Sequence, residues 1–169
     1  MSDNQYKTNI SNYNNAQSGK WVAFINGYDD IAFKLKNFTT PSYTAGSIAL
    51  GHKSPYVVTI PGDHIEVGQV SLEFFVDEFF ANFVSVVQWI KRNAIADEPI
   101  VADIFLYPID SNNRLVSERA IIFRNCWPLT ISELLFDAEN AESEMYCNVL
   151  MNIFDMDFEG EEKIGKTEF

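Results

Sequence analysis

The chain has 169 residues, 47% of them hydrophobic and 14% aromatic, and a formal net charge of −12. That apolar content excludes a disordered chain and suffices for one sizeable core, while no uninterrupted apolar run is long enough to span a bilayer. So acidic a balance also excludes a surface that grips nucleic acid, because phosphate affinity comes from Lys and Arg displacing counterions.

The first 20 residues are rich in Asn, Ser and Tyr without periodicity, so residues 1–20 are expected to form a flexible arm. They contain no basic segment followed by an apolar one, the pattern of a secretory leader, so the chain is expected to stay where it is made, with no membrane partner. Residues 21–25 read as a strand, Asn26-Gly27 as a two-residue hairpin turn, and Ile31, Phe33 and Leu35 as the inward side of the returning strand. Residues 39–55, TTPSYTAGSIALGHKSP, hold scattered Pro, Gly, Ser and Thr and keep neither period; they are expected to be a long, functional loop. YVVTI (56–60) reads as a strand closed by a turn at Pro61-Gly62-Asp63, and Val70, Leu72, Phe74 and Val76 as a third strand.

At Asp77 the period changes. Asp77 is placed as an N-cap, Glu78 in the first turn, and Phe79, Phe83, Val86, Val87 and Ile90 recur at helical spacing before Lys91-Arg92-Asn93. Phe74-Phe75 and Phe79-Phe80 are read as core at this junction. Residues 100–107 and 116–126 then predict a hairpin around Asp110-Ser111-Asn112-Asn113, broken at Trp127-Pro128. One last strand is expected over residues 145–158, with apolar residues at odd positions to Ile153 and with Asp155 and Asp157 continuing that face. Residues 160–169 read as a charged tail, which leaves one domain over residues 21–159. About seven strands and one helix predict a mainly β protein, a sandwich or partly closed barrel flanked by an α-helix.

The vocabulary of catalysis is thin. Nucleophilic chemistry wants a histidine base, and the chain offers only His52 in the long loop and His64 in a turn, both simplest as surface residues. There is no Cys-x-x-Cys, His-x-x-x-His or calcium-loop spacing and no phosphate-cradling glycine loop, so no metal or cofactor is expected. The carboxylate pairs Asp77/Glu78, Asp97/Glu98 and Asp155/Asp157 read as cap, exposed loop and solvated strand face. Cys126 and Cys147 are expected to be buried free thiols, with a single bridge as the alternative. Nothing in this pattern points to an enzyme. From Ile131 onward eleven acids stand against two bases, whereas the first 130 residues carry thirteen against ten. Such a run is either a solvated tail or a surface that lets DNA slide past.

In order along the chain come Gly62-Asp63, the strand VSLEFFVDE (70–78), an amphipathic helix ending at Trp89, Trp127-Pro128 followed by Ile131-Ser132-Glu133-Leu134, and a long terminal strand. This order resembles the tail tube protein family of contractile-tailed, T-even-like bacteriophages, over roughly residues 22–159. The chain departs from that pattern at Asn125-Cys126, where the family shows a Gly-Leu-like pair, and in its longer arm. The resemblance implies a homo-hexamer whose sheets join into a continuous inner β-barrel, with rings stacking into a tube. Its implied partners are further copies of itself, the tail sheath protein, a baseplate tube-initiator, a tape-measure protein in the lumen, and DNA that passes without specific binding. Assembly in the host cytoplasm into a virion tail follows. Under this reading Glu73, Asp155 and Asp157 are candidate lumen-facing acids, and Trp127 and Pro128 form a corner or interface. Pro41, Tyr43, Ile48, Leu50 and His52 belong to a loop that reaches the next ring. The alternatives are a baseplate initiator or tube-end ring protein of the same fold and, more distantly, a monomeric β-barrel holding a small apolar ligand among its phenylalanines.

Overall fold

Phe33 and Leu35, then Val70, Leu72 and Phe74, then Cys147, Val149 and Met151 are buried and alternate with more exposed neighbours, so three separate segments each have one face that must leave water. The computed structural model, which describes residues 19–28, 31–50, 58–110, 112, 114–116, 120–136 and 144–159, buries all three faces inside one barrel. In chain order the elements are β1 (Lys20–Ile25), β2 (Ala32–Phe38), β3 (Tyr43–Leu50), β4 (Val58–Val67), β5 (Val70–Phe75), α1 (Ala81–Ile95), β6 (Ala102–Ile109), β7 (Ile121–Ile131), β8 (Tyr146–Asn152) and β9 (Asp155–Phe158).

The main sheet runs β6-β1-β2-β5-β8-β7-β9, and β6 also pairs with β7. That last pairing closes six strands into a barrel, leaves β9 as an added strand on β7, and removes the open edges that an unclosed sheet would expose. The pairings are antiparallel. Inside, Phe33 meets Phe74 edge to face at 5.1 Å between ring centres. The space left among Phe33, Leu72, Phe74, Val86 and Met151 is only about 10 Å³. A barrel packed this tightly has no interior room for an organic ligand.

Helix α1 closes one side, packing on β7 with Asn82, Ser85, Val86 and Trp89 buried at i, i+3, i+4 and i+7. Its start is unusual. The residue before the helix, Phe80, has φ 56°, a left-handed conformation that costs a non-glycine residue free energy, and it makes no side-chain cap. Asp77 caps from further back: one carboxylate oxygen accepts from the amides of Phe79 (3.0 Å) and Ala81 (2.8 Å), the other from Asn82 (3.0 Å). The Asn82 side chain donates to the Phe75 carbonyl at 2.8 Å, tying the turn to β5. At the far end Trp89 Nε1 donates to the Ile100 carbonyl (2.8 Å), while the Asn93 carboxamide accepts from the Ile100 amide (2.7 Å). Ser85 Oγ donates to the Asn82 carbonyl at 2.8 Å, so the two buried polar residues of the helix face, Asn82 and Ser85, are both satisfied.

Several sequence expectations are corrected. Residues 39–55 are not a loop throughout, since β3 occupies Tyr43–Leu50; Pro61-Gly62-Asp63 is not a turn and does not open a strand, because β4 runs through it, His64 included. The first reversal is wider than two residues: β1 ends at Ile25 and β2 begins at Ala32, with Gly27 at φ 88° between them. The helix begins at Ala81, so Glu78 and Phe79 lie outside it. The strand of residues 100–107 shifts to Ala102–Ile109, and that of residues 116–126 to Ile121–Ile131.

Trp127-Pro128 does not break β7 but marks where it changes partners. Up to Cys126 it pairs with β6, and its first residues with β9; from Trp127 it pairs with β8. Because β6 pairing ends at Cys126, Pro128 has no ladder to interrupt on that side, and a bulge between Pro128 and Thr130 absorbs the rest. Asn125, at φ 48°, bends the strand just before the hand-over. Opposite that bend the expected single last strand is split into β8 and β9 at Ile153-Phe154. The two cysteines are buried free thiols, pushed up to about 12 by burial. Among the described residues no helix is long and apolar enough to cross a membrane. The arm, apart from Gly19 and Lys20, and the tail lie outside the described residues.

Candidate assembly surface

Among the described residues, strands β3 and β4 pair only with each other, as a two-stranded ribbon separate from the main sheet. Its residues are exposed on both faces almost throughout: Ile48 and Ile60, opposed in register, are 50% and 39% accessible, and Ile65 is 68% accessible. A ribbon with neither face covered is marginal in water, since it has backbone pairing but little apolar burial. Its bulge depends on glycine. A Cβ at Gly46 would strike the His64 imidazole, and one at Gly62 would come within 2.8 Å of the Gly46 backbone. At the base Tyr43 reaches β9, its hydroxyl donating to Asp155 (2.9 Å) and accepting from the Met156 amide (2.9 Å). Burial, reinforced by that carboxylate, raises the phenol above its ordinary value.

The three candidate acids all have partners within the chain. Glu73 on β5 meets Lys36 Nζ at 3.3 Å. On β9, Asp155 holds Tyr43, and Asp157 accepts from Arg124 Nε at 2.7 Å. Arg124 also donates to Asp103 of β6 at 2.8 Å, so one guanidinium on β7 ties β6 to β9. Asp103 further accepts from the Asn125 amide at 2.9 Å, supporting the strained bend. Burial by itself would raise the Asp103 carboxyl, but the Asn125 amide and the guanidinium outweigh it and hold it below its ordinary value.

A second apolar surface sits at the helix start. Phe79 is 88% accessible, and with Phe80, Phe83, Val84, Leu134 and Phe136 it lines an open groove of about 650 Å³. Phe136 is 69% and Leu135 82% accessible. The Asp77 bracket and left-handed Phe80 project Phe79 outward, so the local strain serves an exposed aromatic rather than a buried one.

Of the residues singled out from sequence, Tyr43 and Asp155 are brought into contact, while Glu73 is paired elsewhere, with Lys36. Tyr43 and Ile48 lie on the ribbon, Pro41 is buried just before it, Leu50 ends β3, and His52 is outside the described residues. Pro128 is buried and Trp127 half-buried. The groove was missed, because helical spacing assigned Phe79 to the core; the adjacent apolar run Leu134-Leu135-Phe136, with no element to bury it, was the available signal. No cluster of metal-ligating side chains occurs among the described residues.

No protein-family model matches the sequence, and no curated protein matches it. Solved structures do match. A chain of the anti-feeding prophage baseplate has a TM-score of 0.63 at 10% identity, covering 86% of this chain and 96% of that one. A chain of the sheath/tube terminator of an extracellular contractile injection system (PVC) gives 0.64 at 12% identity, with coverages of 86% and 97%. A chain of the sheath-tube complex of the same system gives 0.63 at 11% identity, with coverages of 90% and 96%. These neighbours are structural components of contractile assemblies, and the chain has the fold of contractile tail-tube proteins.

Proposed function

We propose that this chain is a structural subunit of the tube in a contractile injection apparatus, as in a phage tail, forming hexameric rings that stack into a conduit. The observation that carries this reading is the pairing of a complete barrel with an incomplete ribbon. Among the described residues the barrel closes on itself, whereas the ribbon has two uncovered faces and two open edges, which another copy of the chain can cover and pair with. The ribbon, including Tyr43, Ile48 and Leu50, is the part that reaches the next ring, and the half-buried Trp127 with the buried Pro128 serves the barrel wall. Glu73, Asp155 and Asp157 contribute to an acidic lumen through which a tape-measure protein and then DNA pass without adhering. The sheath surrounds this tube, and a baseplate initiator starts it, within a virion-like particle.

The second reading keeps the fold and changes the position: a tube-end or initiator ring that does not extend. It is favoured by the match to a chain of the sheath/tube terminator, whose TM-score of 0.64 stands beside 0.63 for the chain of the sheath-tube complex. The ligand-binding barrel is disfavoured by the void of about 10 Å³ inside. Negative-stain electron microscopy of the purified protein at high concentration separates these readings. Hollow stacked rings are the expected outcome; single rings favour the tube-end role, and dispersed monomers at every concentration contradict both.

A further inference from the structure

The ribbon is not uniform along its length. Its base is fixed to the barrel at three points: Val67 packs against the core, the Gly68 amide donates to the Ser42 carbonyl at 2.8 Å, and the Tyr43 hydroxyl bridges Asp155 and the Met156 amide of β9. Beyond Gly46 no such anchor occurs among the described residues, and Ser47, Ile48, Ala49, Thr59, Ile60 and Pro61 are all exposed. From the structure we infer that the ribbon is a jointed arm. Its base half is clamped to the barrel by Tyr43, and its distal half, residues 47–50 with 58–61, pivots where Gly46 crosses Gly62.

Three observations place the joint there. The register breaks at this point: Ala45 pairs with Ile65 and Ser47 with Pro61, so Gly46 alone stands opposite Gly62, Asp63 and His64, and the pairing of the base does not run on into the distal half. The two backbones also touch. A Cβ on Gly62 would lie 2.8 Å from the Gly46 carbonyl carbon, and neither glycine has a positive φ, so both serve this close approach rather than a special backbone conformation. Finally, the space a side chain would take at Gly46 is filled by the His64 imidazole, which is 63% exposed and therefore a yielding stop rather than a packed one. With pairing interrupted and no side chains interlocked, turning one half against the other disrupts little, whereas turning the base would break the Tyr43 bonds and expose Val67. The joint belongs to the single chain and does not depend on the assembly reading. Its use is to let the uncovered half settle against a partner at more than one angle while the barrel stays fixed.

The test is distance measurement between paired spin labels on the full chain, at a dilution that keeps it dispersed. One label sits at Gln88→Cys on α1, and the other at Thr44→Cys in the base half or, in a second sample, at Thr59→Cys in the distal half; all three sites are exposed, and the native Cys126 and Cys147 are buried. The distance distribution to position 59 is expected to be at least about twice as wide as that to position 44. Adding Tyr43→Phe, which removes the bridging hydroxyl, should widen the distribution at position 44 as well. Adding Gly62→Ala, which wedges the crossing, should move the distance to position 59 and leave that to position 44 unchanged. Equal widths at the two sites without either added substitution, both narrow or both broad, would overturn the joint, and that result needs no variant of the crossing to fold. A base that stays as narrow in the Tyr43→Phe chain would overturn the clamp.

Discussion

The barrel and the ribbon of this chain solve the same problem in opposite ways. The barrel buries its alternating faces within one chain, fills its interior until a void of about 10 Å³ is left, and closes its edges by pairing β6 with β7. The ribbon has regular pairing and a glycine-dependent bulge, yet keeps Ile48, Ile60 and Ile65 in water. Backbone pairing alone therefore does not distinguish a finished sheet from one awaiting a partner; side-chain burial does.

The largest effect belongs to the barrel side. Trp89→Ala removes a fully buried indole and its bond to Ile100, and should cost about 3–5 kcal/mol by denaturant titration. Asp77→Ala comes next: it strips three amides of their acceptor and leaves Phe80 strained without support. It should cost about 1–2 kcal/mol and loosen the groove, read as faster hydrogen exchange at Phe79, Ala81 and Asn82.

Asp103→Asn tests the tie between β6, β7 and β9 through its pH dependence. The folded carboxyl lies below its ordinary value of 3.8, so its stabilisation is fully present above that value and is lost as the pH falls through the lower folded one. The melting difference between parent and variant should accordingly be constant near neutrality and vanish in strong acid. The smallest effect on stability is expected on the ribbon. Replacing Ile48 and Ile60 together by Asp should change the dispersed chain by no more than about 0.5 kcal/mol, since neither residue packs in the core, while sedimentation shows association lost.

The same contrast explains what the sequence could show. Period-two alternation in β2, β5 and β8 was legible because those strands bury one face in their own chain, and the helix was legible from Phe83, Val86 and Ile90, which pack toward the core. The segment TTPSYTAGSIALGHKSP showed no period because the ribbon's faces have no cover among the described residues; the pattern that marks a strand is a record of burial. Phe79 was misplaced because helical spacing does not register that the chain turns left-handed at Phe80 one step later. Trp127-Pro128 was read as a break because the loss of a ladder donor is legible, whereas the departure of β6 after Cys126, which makes that loss harmless on one side, is a property of the closed barrel. The acids at 155 and 157 were correctly placed on a late strand, but their partners Tyr43 and Arg124 come from distant segments that no local pattern connects.

Hydrogen exchange by mass spectrometry, on dispersed and on concentrated protein, tests the central claim most directly. If the ribbon is completed by another copy, peptides of the barrel strands are protected in both states, while those of Tyr43–Leu50 and Val58–Val67 exchange rapidly when dispersed and become protected on association. Equal protection of the ribbon in the dispersed chain, or association that leaves its exchange unchanged, would contradict the account.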